Sequence, residues 1–466
     1  MRQEVGANKG KQEKQLQLIY VSIPLILVFG FLYTHYDSMA ITKWGVLLLD
    51  AIRDGNIRNY PARVLVEYGS ATNYTLFVNA ITAIWLCPVY LICEFILHID
   101  SLLVYEMWYK VLLVLAIFLS VHVFGKVLRQ LNFKDENITI GKAFLMVSAI
   151  TLVSALGKGQ VDVYGLFFFL KGIEYQLKND KIKMSVCMGI AFLIKPLVLW
   201  ILIPCYILLL GKEHGRTIAY AGICLLPFAL DKLVTILIMP EYISLSGETA
   251  QMLKKEFGGL SMFESMFYGG VNDTLPFWLI LIVVCFICYY IATHNMVKEW
   301  QYCVFPVIIL VAFSIFCSVS YHWFIYVLPL LIIMVLRLSK KTDGYLLMLG
   351  LNTSLACYFL IGELLRLMPT LQGSVYGNMG DVQYFGIQIL QQYRWILFPV
   401  FKTAFFTCIL LILGVYAFEQ HWKAKVEMTE EDVEKQSNSF YEEILFMAQS
   451  FPPIIYILLT WIKYLN

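Results

Sequence analysis

This chain is poor in charge. Asp, Glu, Lys and Arg make up 15% of its 466 residues, where a soluble domain carries about 25%. Hydrophobic residues make up 59%, and mean hydropathy is +0.71. No soluble core could hide that much apolar surface, so a soluble globular protein is excluded. The net charge is only +2, and nothing in it suggests a nucleic-acid partner. No internal repeat is visible, and no segment reads as a soluble domain. No small-residue cleavage site follows the first apolar run, which comes after Lys9, Lys11 and Lys14. That run therefore reads as an uncleaved first span. The 11 cysteines all lie in apolar runs. Cys285 and Cys288 form a Cys-x-x-Cys pair, but no His/Cys set surrounds it, which argues against a metal or redox centre.

What the chain has instead is apolar runs of spanning length. They include residues 18–33, 111–128, 218–239, 277–291, 304–319 and 396–418. About 20 apolar residues cross a bilayer, and a helix satisfies its own backbone there. The expected fold is all-α, a polytopic membrane protein with about twelve or thirteen transmembrane helices. Lys and Arg in short loops mark the cytoplasmic side. The basic loops are the N-terminus and residues 126–142, 178–183, 212–216, 337–341 and 423–425. Placing them inside leaves residues 34–73, 157–162, 240–276, 318–322 and 362–394 outside.

Two apolar runs fit this scheme only if they do not cross once. Residues 75–98 contain Pro88 and are followed by Asp100. Proline removes a helical donor and clashes with the preceding turn. The segment is expected to be a re-entrant or interfacial hairpin, with a full span as the alternative. Residues 184–210 have basic loops at both ends and are expected to cross twice, turning at Lys195-Pro196. The chain then divides into a cytoplasmic N-terminus (1–16), a membrane module (17–210) with an outer loop at 34–106, and a second set of helices (211–422) with outer loops at 240–276 and 362–394. An acidic cytoplasmic linker (423–443) and a C-terminal helix (444–466) complete it.

Polar residues in or beside spans are costly and therefore functional candidates. Asp37 follows the first span, and its bland reading is a helix cap with Ser38. After it, residues 41–52 carry Trp44, Leu47, Leu48 and Ala51 on one helical face, suited to the membrane interface. Asp50, Arg53, Asp54 and Arg58 flank that face. Residues 157–162 read Gly-Lys-Gly-Gln-Val-Asp, blandly a tight turn in which Lys158 and Asp162 pair. Lys195 stands among apolar residues and needs an anionic partner, unless it snorkels to the interface. Tyr321-His322-Trp323 read blandly as part of an interfacial aromatic belt. Asp231-Lys232 read as an internal ion pair.

The order of these features resembles the C-type glycosyltransferase superfamily, multispanning enzymes that use polyprenyl-phosphate sugars. The acidic residue after span one and the interfacial loop behind it carry that likeness. The stretch from Gly159 to Phe168, with Gln160 and Asp162, and the later Ala191–Pro196 stretch ending in Lys195-Pro196, are similar to the bacterial polyprenol-phosphate-mannose-type branch. The likeness covers roughly residues 34–210 and fades beyond. It implies a hexosyltransferase with Asp37 as catalytic base, Asp50 and Asp54 being near enough in sequence to compete. The donor phosphate would be bound by Lys195, Lys158, Arg58 or Arg394. Gln160, Asp162, Tyr321 and His322 would bind sugar or acceptor. The donor would be a polyprenyl-phosphate sugar, the acceptor a glycan, glycolipid or protein, and the surroundings membrane lipid. No cofactor is implied, with a divalent metal between Asp37 and Asp162 as the variant. The expected place is a bacterial plasma membrane, with a cytoplasmic N-terminus and an outward-facing site. The rivals are a flippase or transporter for lipid-linked saccharides, whose sites also use intramembrane charge, and a non-catalytic scaffold for polymer assembly.

Overall fold

A computed structural model describes residues 17, 19–33, 35–68, 74–99, 101–210, 214–239, 275–317, 321–364, 387–423 and 439–465. The expected outer loops 240–276 and 362–394, the N-terminus and most of the acidic linker lie largely outside these residues. Arg394 lies outside the residues whose side chains are described. Among the described residues every regular element is helical. Eight helices among the described residues are long and apolar enough to cross a membrane, and four shorter apolar helices accompany them. The protein is an all-α polytopic membrane protein.

The elements are α1 (Ile19–Phe31), α2 (Tyr36–Arg53), a 3-10 turn (Ile57–Asn59), α3 (Tyr60–Tyr68), α4 (Leu76–Ile92) and α5 (Leu102–Gln130). There follow α6 (Asp135–Val147), α7 (Asp162–Leu177), α8 (Lys181–Ile194), α9 (Val198–Leu210), α10 (His214–Ile238), α11 (Leu275–Thr293) and α12 (Gln301–Phe316). A 3-10 segment (Tyr321–Tyr326) leads to α13 (Leu328–Arg337), α14 (Lys341–Leu364), α15 (Ile387–Lys423), α16 (Ser439–Ala448) and α17 (Phe451–Leu465).

Burial separates a central group from a periphery. The most apolar window of Asp135–Leu156 is 89% buried inside the protein and that of Leu102–Gln130 61%, against 17% for Gly215–Ile238. α5 and α6 are therefore the core, and α10 leaves most of its apolar surface for lipid. At one end of the bundle the basic residues gather. Arg337 lies over the Phe133 ring and bonds to Glu299, and Lys341 donates to Asn137 at 3.1 Å. The other end holds Asp37.

The core helix α6 is broken at Ser148, whose ψ of 136° leaves the helix. Backbone groups freed inside a membrane must find partners within the protein. Asn352 of α14 supplies one: its Oδ1 accepts from the Ser148 hydroxyl at 3.0 Å and from Ala149 N–H at 3.1 Å. Gln449 holds Asn352 in turn, accepting from its Nδ2 at 3.0 Å. Beyond the break the chain runs as π-helix from Ile150 to Leu156. That irregular helix delivers the turn of residues 157–161 to the Asp37 end.

Residues 75–98 do not form a hairpin. α4 runs straight through Pro88 and continues as π-helix from Cys93 to Leu97, ending at left-handed His98. Packing offsets the donor lost at Pro88. Gly45 of α2 lies close against Thr82 and Leu86. Trp85 and Trp108 exchange two indole-to-carbonyl bonds of 2.8 Å. At its start, α4 is capped from another helix, because the Asp231 carboxylate accepts from Phe77 N–H at 2.8 Å. Asp231 is thus engaged by α4 backbone rather than only by its neighbour Lys232. The last turns of α4 lie beside the first turns of α5, Tyr90 against Tyr105. The end of α4 also lies against the C-terminal end of α2, where Tyr90 donates to Asp50, and the helix never folds back.

Candidate functional site

Four segments meet at the Asp37 end. The first is the N-terminus of α2. His35 is its cap: Nδ1 accepts from Asp37 N–H at 3.1 Å, and His35 N–H donates to Ser38 Oγ at 3.2 Å. Asp37 is therefore not the cap, and its carboxylate is free to face the neighbouring turn. The same His35 Nδ1 lies 3.3 Å from Asp37 Oδ2. Neutral His35 accepts the backbone proton, and protonated His35 can instead pair with the carboxylate.

The second segment is the turn before α7. Gly159 has φ of +65°, and a Cβ there would stand 2.3 Å from Ser38 Cβ. Only glycine allows both the backbone angle and the close approach. The turn thereby brings Gln160 against α2, and its Nε2 donates to Asp37 Oδ2 at 2.5 Å. Lys158, on the same turn, lies 4.6 Å from the Phe359 ring centre.

The third is the α8–α9 break. The residue before a proline is pushed toward extended backbone, and Lys195 is extended, with φ −139° and ψ 104°. Its ammonium does not snorkel away. It lies 3.5 Å from Asp162 Oδ2 and over the rings of Trp323 at 5.1 Å and Tyr74 at 5.4 Å. Asp162 thus pairs with Lys195, from a separate helix. The fourth is the 3-10 segment, which sets His322 Nε2 3.8 Å from Asp162 Oδ2.

Tyr74 closes the array by donating to Gln160 Oε1 at 3.2 Å. A path of contacts then runs Asp37–Gln160–Tyr74–Lys195–Asp162–His322: hydrogen bonds from Asp37 to Tyr74, a cation–π contact from the Tyr74 ring to Lys195, and ion-pair distances beyond. Asp162 is fully buried and Gln160 nearly so, whereas the Asp37 side chain is 40% exposed. Burial works to raise the Asp37 carboxyl. The hydrogen bond and charge of His35, with Lys158 and the Gln160 amide, outweigh it and hold the carboxyl below its ordinary value. The array thus joins an accessible carboxylate, acted on by the Lys158 charge, to the buried Asp162–Lys195 pair.

The remaining sequence candidates fall elsewhere. Asp50 and Asp54 sit at the other end of α2, an 18-residue helix and so about 27 Å long. There Asp50 accepts from Tyr90 at 2.5 Å, and Arg63 reaches Asp54 at 2.6 Å. Arg58 follows on the 3-10 turn, exposed and outside the array. The ring of Tyr321 packs among Tyr358, Phe359 and Phe405, so it borders Lys158 through Phe359 rather than joining Asp162.

Trp323, read as part of an aromatic belt, instead lies under the Lys195 ammonium. Several members of the site carried no sequence reading: His35, Tyr74 and a polar face of α5. On that face Glu106 accepts from Ser38 Oγ at 2.5 Å. Tyr109 donates to Gly159 O at 3.0 Å, and Lys110 donates to Tyr33 O. One helical face thus grips α1, α2 and the Gly159 turn together. Its visible signal is two ionisable residues four apart at the head of an apolar helix. Among the described residues no group of three or more His, Cys, Asp or Glu side chains could hold a metal ion. In comparison with known proteins, no family model matches the chain and no characterised protein matches its sequence.

Proposed function

We propose that this protein is a membrane glycosyltransferase that moves a hexose, mannose-like, from a polyprenyl-phosphate donor to a hydroxyl acceptor. The observation that carries the reading is the chain of contacts from Asp37 to Lys195: an accessible carboxylate and a buried ammonium joined through Gln160 and Tyr74 at one end of an apolar bundle. That end lies opposite the basic loops. By the charge rule it faces outward from a plasma membrane whose cytoplasmic side holds the N-terminus.

The chemistry follows from the residue types. The acceptor oxygen attacks the anomeric carbon as its proton passes to Asp37. The bond from that carbon to the phosphate oxygen breaks, and polyprenyl phosphate leaves with the bonding pair. Lys195 and Lys158 offset the charge that develops on the phosphate. A single displacement inverts the anomeric configuration. Gln160 and His35 orient Asp37, and Asp162 holds Lys195. Donor sugar hydroxyls find partners in Gln160 and His322, and the acceptor is a glycan, glycolipid or protein hydroxyl.

The test is transfer by Asp37→Asn in proteoliposomes, with polyprenyl-phosphate mannose as donor and a panel of hydroxyl acceptors. Loss of general-base catalysis lowers the rate by about 10²–10⁴-fold. Transfer at the wild-type rate overturns the assignment of Asp37. Donor movement between leaflets with no glycosylated product points instead to a lipid-linked saccharide flippase.

A further inference from the structure

The head of α5 carries two buried ionisable groups that the transfer chemistry leaves unused. Glu106 is 2% exposed and Lys110 0%. With Tyr109 they share one face of the helix, three and four residues apart. Each of the three reaches a different part of the site. Lys110 donates to Tyr33 O, ahead of α2. Glu106 accepts from Ser38 Oγ, in the first turn of α2, at 2.5 Å. Tyr109 donates at 3.0 Å to Gly159 O, in the turn that carries Gln160. The face therefore touches both sides of the bond between Gln160 and Asp37. Uncharged side chains could tie such segments together. A carboxylate buried in an apolar bundle is costly and calls for a further reason.

That reason lies in the Ser38 hydroxyl. It has a single hydrogen and two acceptors within reach, His35 O at 2.8 Å and Glu106 Oε1. A carboxylate is the stronger acceptor. It draws the hydrogen to itself and leaves the Ser38 oxygen to accept from His35 N–H at 3.2 Å. That bond is one half of the α2 cap, and the other runs from Asp37 N–H to His35 Nδ1. Ser38 is also the residue against which Gly159 packs, so the Gln160 turn feels any shift of it. We infer that Glu106 is a positioning residue for Asp37: through Ser38 and His35 it fixes the first turn of α2, so that the Asp37 carboxylate meets Gln160. Lys110, whose charge acts on Glu106, keeps that carboxylate from being buried alone. The effect on rate rests on the transferase reading, whereas the effect on the α2 cap does not.

The experiment compares Glu106→Ala, Glu106→Gln, Ser38→Ala and the double variant Ser38→Ala with Glu106→Ala, each as the full chain in proteoliposomes with polyprenyl-phosphate mannose. For Glu106→Ala kcat is expected to fall about 10–100-fold, the scale of a displaced reacting group, with donor KM unchanged. Glu106→Gln, whose amide oxygen still accepts from Ser38, recovers most of that loss. Ser38→Ala lowers kcat to a similar degree, and the double variant falls no further, because the same contact is lost each time. Wild-type kcat in Glu106→Ala, or losses that multiply in the double variant, overturns the inference. If Glu106→Ala fails to fold, wild-type kcat in Ser38→Ala overturns it. The cap is read separately, by NMR of protein carrying isotope-labelled histidine, with the His35 signal identified by its absence in His35→Gln. That signal is expected to move in Glu106→Ala and in Ser38→Ala and to stay in place in Glu106→Gln. No movement overturns the positioning role, whether or not sugar is transferred. Movement as expected in a protein that transfers no sugar upholds the positioning and counts against the transferase reading alone.

Discussion

The two ends of the bundle use charge in opposite ways. At the Asp37 end the interacting groups come from distant segments and are buried: the side chains of Asp162 and Lys195 are 0% and 11% exposed. At the basic end several pairs are near neighbours in sequence and lie in the open, as with Lys183 and Asp180, three residues apart, or Lys340 and Asp343. The difference follows from solvation. A charge near water loses little by standing alone, so a loop can carry lysines whose role is orientation. A charge inside an apolar bundle is held only where several elements supply its partners together. The buried array thus needs the whole fold, and the local exposed pairs need almost none of it.

The largest effect that would sharpen this contrast is the loss of the buried cation. Lys195→Met leaves the Asp162 carboxylate enclosed with no ammonium beside it. Breaking a buried pair in this way costs about 3–5 kcal/mol. Removing both charges, with Asp162→Asn and Lys195→Met together, recovers most of that loss, because no unpaired ion remains. Unfolding midpoints in detergent for the two single variants and the double variant measure the coupling. A Lys195→Met midpoint equal to that of wild type would break the contrast at its buried end.

Most of the array was legible because its members stand out against their surroundings. Asp37, Gln160, Asp162, Lys195 and His322 interrupt apolar sequence, where each ionisable or amide group needs a reason. Pairing was not legible. Lys158 and Asp162 share a turn, yet Asp162 finds its partner 33 residues away in Lys195. His35 precedes Asp37 by two residues and takes the cap, which frees the carboxylate. Tyr321 adjoins His322, but in a 3-10 segment successive side chains diverge by about a third of a turn, so only one of them reaches Asp162. Pro88 predicted a break that packing prevents: a lost donor is a local cost, whereas the Trp85–Trp108 bonds and the close fit of Gly45 are tertiary and leave no mark in the local sequence. Glu106 was hidden for the opposite reason. It heads a helix otherwise read as an ordinary span, and only the assembled fold shows Ser38 waiting for it.

A smaller effect tests how the distant segments are held in register. Gly159→Ala forces a side chain into a left-handed backbone position and against Ser38. The backbone angle alone costs roughly 1–2 kcal/mol, and the contact moves Ser38 and the Gln160 turn apart. Thermal midpoint and transfer rate are both expected to fall, the rate further than the midpoint, because Gln160 Nε2 no longer meets Asp37. Equal small losses in both would show that the turn only closes the chain.

Acid should act on the site end more gently. The folded Asp37 carboxyl lies below its ordinary value, so its contribution to stability is complete above about pH 3.9, the value for an unperturbed aspartate. That contribution fades as pH falls through the lower folded value. The ionised base likewise persists through the neutral range, and the acid limb of the transfer rate lies below about pH 4. His35→Gln removes the main group that holds the carboxyl down, and the limb then moves upward. A wild-type limb near neutrality would assign the titration to a different group.

The smallest effect belongs to the exposed end. Lys183 is 64% exposed, and its partner Asp180 also accepts from the Lys183 backbone N–H. Lys183→Ala therefore removes a side-chain contact but leaves the start of α8 capped, because the backbone bond to Asp180 needs no side chain. Water solvates the freed carboxylate, and exposed pairs of this kind contribute little. The unfolding midpoint of Lys183→Ala is expected to match that of wild type in the same detergent experiment as Lys195→Met. Two lysines 12 residues apart in one sequence, each beside an aspartate, would then differ in effect for a single reason: one partner is buried and drawn from another helix, and the other is local and wet. A loss for Lys183→Ala as large as that for Lys195→Met would show that burial is not what separates the two ends.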